Sequence, residues 1–488
     1  MKKKTFRNII NLVLGTFSIF LLLAGSVIAQ SEQKEKHRVI VLTDIEADPD
    51  DTQSLVRLLL YSNQIDIEGL VATTSVWKKT SISPETIEKV LQAYGEVQSN
   101  LNQHEEGYPT EEELLRLVKD GLPTYGMTGV GEGHDSEGSE WIIETLKKDD
   151  DRPLWISVWG GVNTLAQALY KIRDTYTEKE ADVMISKLRV YTISDQDDSG
   201  NWIRNNFSDL FYIVSPGDDY GSATWSSINT YVDGINNDEI SNRWFAEHVQ
   251  QDHGPLGAVY PDVAWGVEGD TPAYLYLIPN GLNVPDRPDW GGWGGRYELY
   301  QPEFETIGEG GSDVVAKPEN REIWTNASDS YTPYIFDNYG RAVEQADTTF
   351  TGNKVTLWRW RDDFQNDFAA RMDWTIMSYE EANHPPVPVL EGPDQITVQS
   401  GESFTLDARN SYDPDGDNLS FLWFNYPEAG SYNKLIPVPG AENVYHVNFV
   451  APEVDKSETA HIILKVTDKG SPALTRYKRI VINILPPE

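Results

Sequence analysis

Val39-Ile40-Val41-Leu42-Thr43-Asp44-Ile45-Glu46-Ala47-Asp48-Pro49-Asp50-Asp51 carries the signals that decide the fold. Its first four residues form a continuous apolar run, as a strand covered on both faces requires. The rest places five carboxylates on a loop that leaves this strand and enters a helix continuing through Leu55-Val56-Arg57-Leu58-Leu59-Leu60. Gly69-Leu70-Val71-Ala72 reads as the next strand. A β-α-β order this short implies a parallel pair joined by a right-handed crossover. Leu154-Trp155-Ile156-Ser157-Val158 followed by Leu165-Ala166-Gln167-Ala168-Leu169 repeats the theme, as does Leu188-Arg189-Val190-Tyr191-Thr192. Residues 37–380 therefore read as an α/β domain with a mainly parallel central sheet.

In such sheets ligands collect at the carboxyl ends of the strands, where the acidic loop sits. Carboxylates this crowded repel one another unless a cation holds them, and hard Ca²⁺ prefers oxygen ligands. The alternative is a helix cap: Asp50 and Asp51 would complement the dipole and satisfy free N–H groups. One or two aspartates serve that purpose; five exceed it.

The chain of 488 residues bears 40 basic and 77 acidic side chains, a net charge of -37. Nucleic acid is bound largely by neutralising phosphates, and no basic stripe follows the first residues, so that partner is excluded. With 15 Trp, 24 Tyr and 15 Phe a sizeable core can be built. Lys2, Lys3, Lys4 and Arg7, the apolar run Ile9 to Leu23 and the small residues around Val27-Ile28-Ala29 read as a signal peptide over residues 1–29. The apolar run is short for a membrane span. The mature chain is expected to be exported, periplasmic or secreted, with no stable membrane span. There is no cysteine, hence no disulfide.

Gly281 to Pro333 breaks the α/β pattern with a stretch rich in Gly, Pro, Trp and Glu. Trp290 and Trp293 crowd its glycine-rich part, where exposed indoles would stack on the apolar faces of sugar rings; alternatively they pack a loop poor in secondary structure. In Trp358-Arg359-Trp360-Arg361, alternation along a strand would put both indoles on one face, in the core. Residues 381–391 read as a proline-rich linker. After it the period becomes two: Phe404, Leu406, Ala408; Leu419, Phe421, Trp423; Ile480, Ile482, Ile484. Residues 392–488 thus read as a small all-β, immunoglobulin-like sandwich.

The acidic segment resembles the D-x-D-P-G-x-D-D signature of the nucleoside hydrolases, calcium-dependent α/β enzymes that cleave N-ribosidic bonds. Asp44 and the Asp50-Asp51 pair match, Glu46 replaces the second Asp, and Ala47-Asp48 replace Pro-Gly. The resemblance implies Ca²⁺ held by Glu46, Asp51, the backbone carbonyl of Trp159 and Asp270. It also implies a base at Glu46, with Asp50 contacting sugar hydroxyls; the extra methylene of Glu46 leaves Asp48 as the alternative base and as a competitor for the metal. Trp159 enters through Val158-Trp159-Gly160-Gly161-Val162-Asn163, similar to the family's strand-to-helix turn, which a need for glycine would also explain. Asp270 stands where the family has a late aspartate, with Gly269 in place of its histidine. Asn201 and Asn206 are similar to ribose-binding positions, whereas Thr74-Ser75-Val76-Trp77 lie where the family has an asparagine.

The whole arrangement resembles exported bacterial proteins with a nucleoside-hydrolase-like domain and a cadherin-like or immunoglobulin-like C-terminal domain, often described as cellulose-binding. The expected function is a calcium-dependent hydrolase of glycosidic bonds in polysaccharide degradation, with a carbohydrate partner. Catalysis would draw on Glu46 and Asp50, and substrate binding on Asp50, Asn201, Asn206, Trp290 and Trp293. The alternatives are a non-catalytic polysaccharide binder on the same scaffold and a nucleoside hydrolase.

Overall fold

The computed structural model describes residues 35–214, 224–302, 306–307, 315–316, 319–336, 342–438 and 443–487. The expected leader, residues 1–29, lies outside them. Residues His37–Glu488 form one compact unit. Among the described residues no helix is long and apolar enough to cross a membrane.

The apolar run His37–Thr43 is strand β1. It pairs in parallel with β2 (Ile65–Ala72) on one side and, across the sequence positions of β3 (Val118–Asp120), with β4 (Leu154–Val158) on the other. β5 (Leu188–Thr192) and β6 (Phe211–Val214) continue the parallel set. β7 (Tyr297–Tyr300) closes one edge; after a ribbon of β8 (Thr306–Ile307) and β9 (Val315–Ala316), β10 (Ile323–Asn326) inserts between β6 and β7. The eight-stranded order is β3-β2-β1-β4-β5-β6-β10-β7, antiparallel only at β10-β7.

Side chains of β1 alternate between two cores. Val39 and Val41 pack with the helices Asp50–Leu59 and Pro84–His104, while Ile40 and Leu42 face the helices Glu137–Leu146 and Asn163–Thr175. Both faces are covered, which explains why the strand is apolar throughout. The chain winds outward from β1 to β3, then returns to β4 on the opposite side of β1. The order reverses between β1 and β4, so a crevice opens where their carboxyl-end loops diverge.

Two nested antiparallel pairs follow, β12 (Tyr334–Phe336) with β13 (Ala342–Gln345) lying in sequence between β11 (Asp329–Tyr331) and its partner β14 (Phe350–Gly352). Trp358 and Trp360 are buried as expected, but Val355–Trp358 is a helix, not a strand. Beyond it, β15 (Gln395–Gln399), β20 (Thr475–Leu485), β19 (Glu458–Thr467) and β17 (Ser420–Asn425) form one sheet, and β16 (Ser403–Asp407) and β18 (His446–Val450) another. Trp423, Ile480, Ile482 and Ile484 fill the core between them; complete burial of such side chains is worth about 1.5–3 kcal/mol each.

This all-β part docks on the glycine-rich stretch. Tyr477 N donates to Asn280 O at 2.9 Å, Arg479 Nη2 to Gly291 O at 2.8 Å, and Tyr426 Oη to Asp329 Oδ2 at 2.5 Å. A Cβ on Gly281 would lie 2.0 Å from Tyr477 O, and one on Gly291 2.3 Å from Tyr426 Oη. Gly281 thus admits the backbone of Tyr477, and Gly291 the ring of Tyr426. In residues 381–391, His384 is buried against His104, Trp374 and Tyr379, and Val387 pairs with Tyr412.

Candidate functional site

The loop after β1 tightens at once: Ala47 N donates to Asp44 O at 2.9 Å, and Glu46 takes a left-handed backbone with φ 75°. The helix Asp50–Leu59 then begins, with Asp48 Oδ1 accepting from Asp50 N at 3.1 Å. Asp44 and Asp51 are buried; Thr43 Oγ1 donates to Asp51 Oδ1. Oxygens of Asp48, Asp50 and Asp51 lie within 4.8 Å of one another. Asp270 joins this group from the turn before the helix Pro272–Leu275. It is buried, and its Oδ2 has no hydrogen-bond partner.

Charge crowding is the property these residues share. Loss of water, followed by repulsion from the neighbouring aspartates, pushes the carboxyls of Asp50, Asp51 and Asp270 well above the usual carboxylate range. Burial also raises Asp44, to about 7, against a hydrogen bond from Ser75. These carboxylates offer the oxygen donors that a hard divalent cation prefers, and one buried oxygen, Asp270 Oδ2, is unused.

Glu46 does not join them, which corrects the expectation for a ligand and base at that position. Its left-handed backbone turns the carboxylate outward, where Ser83 Oγ donates to Oε2 at 2.6 Å and Thr86 Oγ1 to Oε1 at 2.5 Å. Lys78 Nζ stands 3.6 Å away, and these partners hold the Glu46 carboxyl below its ordinary value, the Ser83 bond most. Asp48, one of the residues replacing Pro-Gly, occupies the cluster in its stead.

The turn after β4 supplies the facing wall. Trp159 N donates to Leu42 O at 2.8 Å, and Gly161 N to Thr74 O at 2.9 Å. The Trp159 ring is buried, with Nε1 donating to Ser157 Oγ; its carbonyl accepts from Gln196 Nε2. Gln196 Oε1 is buried without a partner. Asp197 accepts from Asn163 N and Ser199 N, and burial raises its carboxyl to about 6.

Gly269 lies against the cluster from the other direction. A Cβ there would sit 2.7 Å from Asp50 Oδ2 and 3.0 Å from the Trp225 ring. Trp225 thus takes the room a histidine at 269 would need, and sets an indole beside Gly269 and Asp50. It comes from a short turn, Thr224–Ser227, with no local motif to announce it.

The remaining expected residues part company. Asn201 lies in the first turn of the helix Ser199–Asn206, half-buried, with Nδ2 unpartnered and Oδ1 accepting from Asn205. Asn206 ends that helix, exposed, with Nδ2 bonded to Trp202 O. A helix between two parallel strands runs back toward their amino ends, so Asn206 points away from the crevice. Trp293 is 0% exposed, set edge-on to Phe364 and Tyr477, and offers no face to a sugar. Trp290 is half-buried, edge-on to His461 and covered by the guanidinium of Arg287. Both belong to the docking surface of the C-terminal sheets.

Comparison with known families and structures places this geometry. A family described as "Cellulose-binding Sde182, nucleoside hydrolase-like domain" matches residues 38–297, and one described as "Cellulose-binding protein Sde0182, C-terminal domain" matches residues 403–484. A solved structure of a nucleoside hydrolase-related hypothetical protein from Saccharophagus degradans, associated with carbohydrate metabolism, is 36% identical. It aligns over 92% of this chain and 100% of its own, with a TM-score of 0.75. The effector protein XOO4466 aligns over 60% of this chain and 88% of its own at 10% identity and a TM-score of 0.32, too distant to carry an argument. No curated protein matches.

Proposed function

The chain belongs to the cellulose-binding Sde182 family, and on that premise we propose that it is an exported, calcium-dependent hydrolase of glycosidic bonds in a polysaccharide. The leader-like start supports export. The observation that carries the reading is the cluster of Asp48, Asp50 and Asp51 after β1, with Asp270 beside Gly269, which lies against Asp50, and with Asp270 Oδ2 buried and unpartnered.

Asp48, Asp51 and Asp270, with the Trp159 carbonyl, are the groups that would hold the cation. Calcium, when bound, supplies the positive charge that offsets these carboxylates and polarises the oxygens around it. Asp50 accepts hydrogen bonds from sugar hydroxyls, and the Trp225 ring beside it meets an apolar ring face. Asp48 takes the role of base: it accepts a proton from the attacking water, whose oxygen bonds to the anomeric carbon as the glycosidic C–O bond breaks. That proton is finally carried by the departing oxygen, so one water is consumed and two hydroxyl ends appear.

A second reading, glycan binding without turnover, is favoured by one observation, the outward turn of Glu46. Product release from oligosaccharides, polysaccharides and nucleosides, with calcium and with chelator, tests both. Sugar release by the wild-type chain but not by Asp51→Asn is expected. Retention of glycan without release supports the binding reading, and release of nucleobase alone overturns the carbohydrate assignment.

A further inference from the structure

Residues 261–268 form a loop whose two ends are tied by one side chain. Gln53, fully buried two residues beyond Asp51, donates Nε2 to Pro261 O at 3.2 Å and accepts from Glu268 N at 3.0 Å through Oε1. A second amide, Asn242, bonds both backbone groups of Val263, at 2.7 and 3.3 Å. At the base, Glu268 is buried with Arg57 at 2.7 Å and accepts from Tyr260 Oη at 2.8 Å. The tip is narrowed by pairing of Ala264 with Gly266.

On that pinned tip stands Trp265, 93% exposed and with φ 67°. A lone exposed apolar residue is ordinary. A tryptophan in the left-handed region is not, because its Cβ meets steric conflict there that glycine escapes. Exposure gives up the burial that a large aromatic normally gains, and strain of this kind gathers at functional positions. Both penalties fall on one residue of a loop tied at its base by Gln53 and at Val263 by Asn242. Trp265 is five residues from Asp270, at most about 18 Å along an extended chain. On the loop after β2, Trp77 is 50% exposed; its N–H is bonded by Ser75, the residue that also bonds Asp44.

We propose that Trp265 is a stacking platform for a pyranose ring of a neutral, β-linked glucan chain, on the same stretch of chain that delivers Asp270 to the acidic cluster. Equatorial substitution leaves such rings with flat C–H faces that match an indole, and a chain of net charge -37 disfavours an anionic polymer. The inference rests on the carbohydrate assignment made above but not on catalysis.

The test is retention of the full chain on microcrystalline cellulose and affinity electrophoresis in soluble β-glucan. Wild type is compared with Trp265→Ala, Trp265→Gly and Trp265→Tyr. Because the indole is exposed, each variant keeps the fold, as circular dichroism checks. Expected is about tenfold weaker retention for Ala and Gly and near-wild-type retention for Tyr. Trp265→Gly should also melt higher than wild type, since it relieves the backbone. Equal retention of wild type and Trp265→Ala overturns the platform while leaving the hydrolase reading intact. Wild type passing through every glycan overturns it together with the carbohydrate assignment. Retention that depends on Trp265, with no product released, supports the platform and removes only the hydrolase.

Discussion

The carboxylate of Asp44 fills the space that a side chain at position 160 would need. A Cβ on Gly160 would lie 2.5 Å from Asp44 Oδ1 and 2.8 Å from its Cγ. The two residues sit at the carboxyl ends of β1 and β4, so the glycine sets how closely the walls of the crevice approach. Gly160→Ala is therefore expected to cost about 1–3 kcal/mol of stability, since backbone and buried carboxylate must both move. It should also weaken calcium binding. Chemical denaturation with and without calcium reads both effects; an unchanged midpoint and affinity would mean that the approach is not critical.

On the proposal that calcium offsets the repulsion within the cluster, its removal should expose that repulsion. Without a cation the folded chain holds Asp50, Asp51 and Asp270 together, each raised by burial and by its neighbours. In calcium-free buffer Asp270→Asn should melt higher than wild type; each unit of pKa elevation corresponds to about 1.4 kcal/mol. In calcium the order should invert, because wild type gains about 2.7 kcal/mol at a hundredfold excess of ligand over Kd and the variant gains little. A calcium-independent melting point for wild type would remove the cation from the mechanism.

Glu46 and Asp48 should trade the importance that resemblance assigns them. Glu46→Gln keeps one acceptor oxygen for Ser83 or Thr86 and weakens a half-exposed contact with Lys78, and is expected to cost about 1 kcal/mol. Calcium affinity should then stay within about twofold of wild type. Asp48→Asn removes a charge from the cluster and should weaken calcium at least about tenfold. Isothermal titration of both variants decides this, and equal losses would restore Glu46 to the site.

The strand, the acidic loop and the alternation of the C-terminal strands were legible because each is a local pattern. Val39 to Leu42 must be apolar whatever follows, and Ile480, Ile482 and Ile484 must share a face. The direction of Glu46 was not legible, since it depends on Ser83 and Thr86, distant residues that meet it only after β2 is laid beside β1. Trp290 and Trp293 misled for a different reason. Glycines beside indoles suit a sugar ring or an approaching tyrosine equally, and here Tyr426 and Tyr477 make the approach. Asn206 matched by local sequence alone, and the direction of its helix removes it from the crevice.

His461 predicts how the docked C-terminal sheets respond to acid. It is buried, edge-on to Trp290, and accepts a hydrogen bond at Nδ1 from Arg479 Nη1 at 3.1 Å. Burial, then the charges of Arg479 and Arg287, lowers its imidazole from 6.5 to about 2. An unfolded chain binds a proton at this residue below about pH 6.5, whereas the folded chain does so only near pH 2. The unfolded state therefore takes up more protons across that window, and stability falls as the pH falls through it, by up to about 1.4 kcal/mol per unit. Carboxylates add their own slopes, so the contribution is read as a difference from His461→Gln, whose amide oxygen can accept from Arg479 without titrating. Wild type should lose stability relative to this variant progressively from pH 6.5 to pH 4.5, the cost rising with each step in urea denaturation. A difference that stays constant over that range would mean that His461 titrates alike in the folded and unfolded chains, and that the arginines around it exert no net hold on its charge.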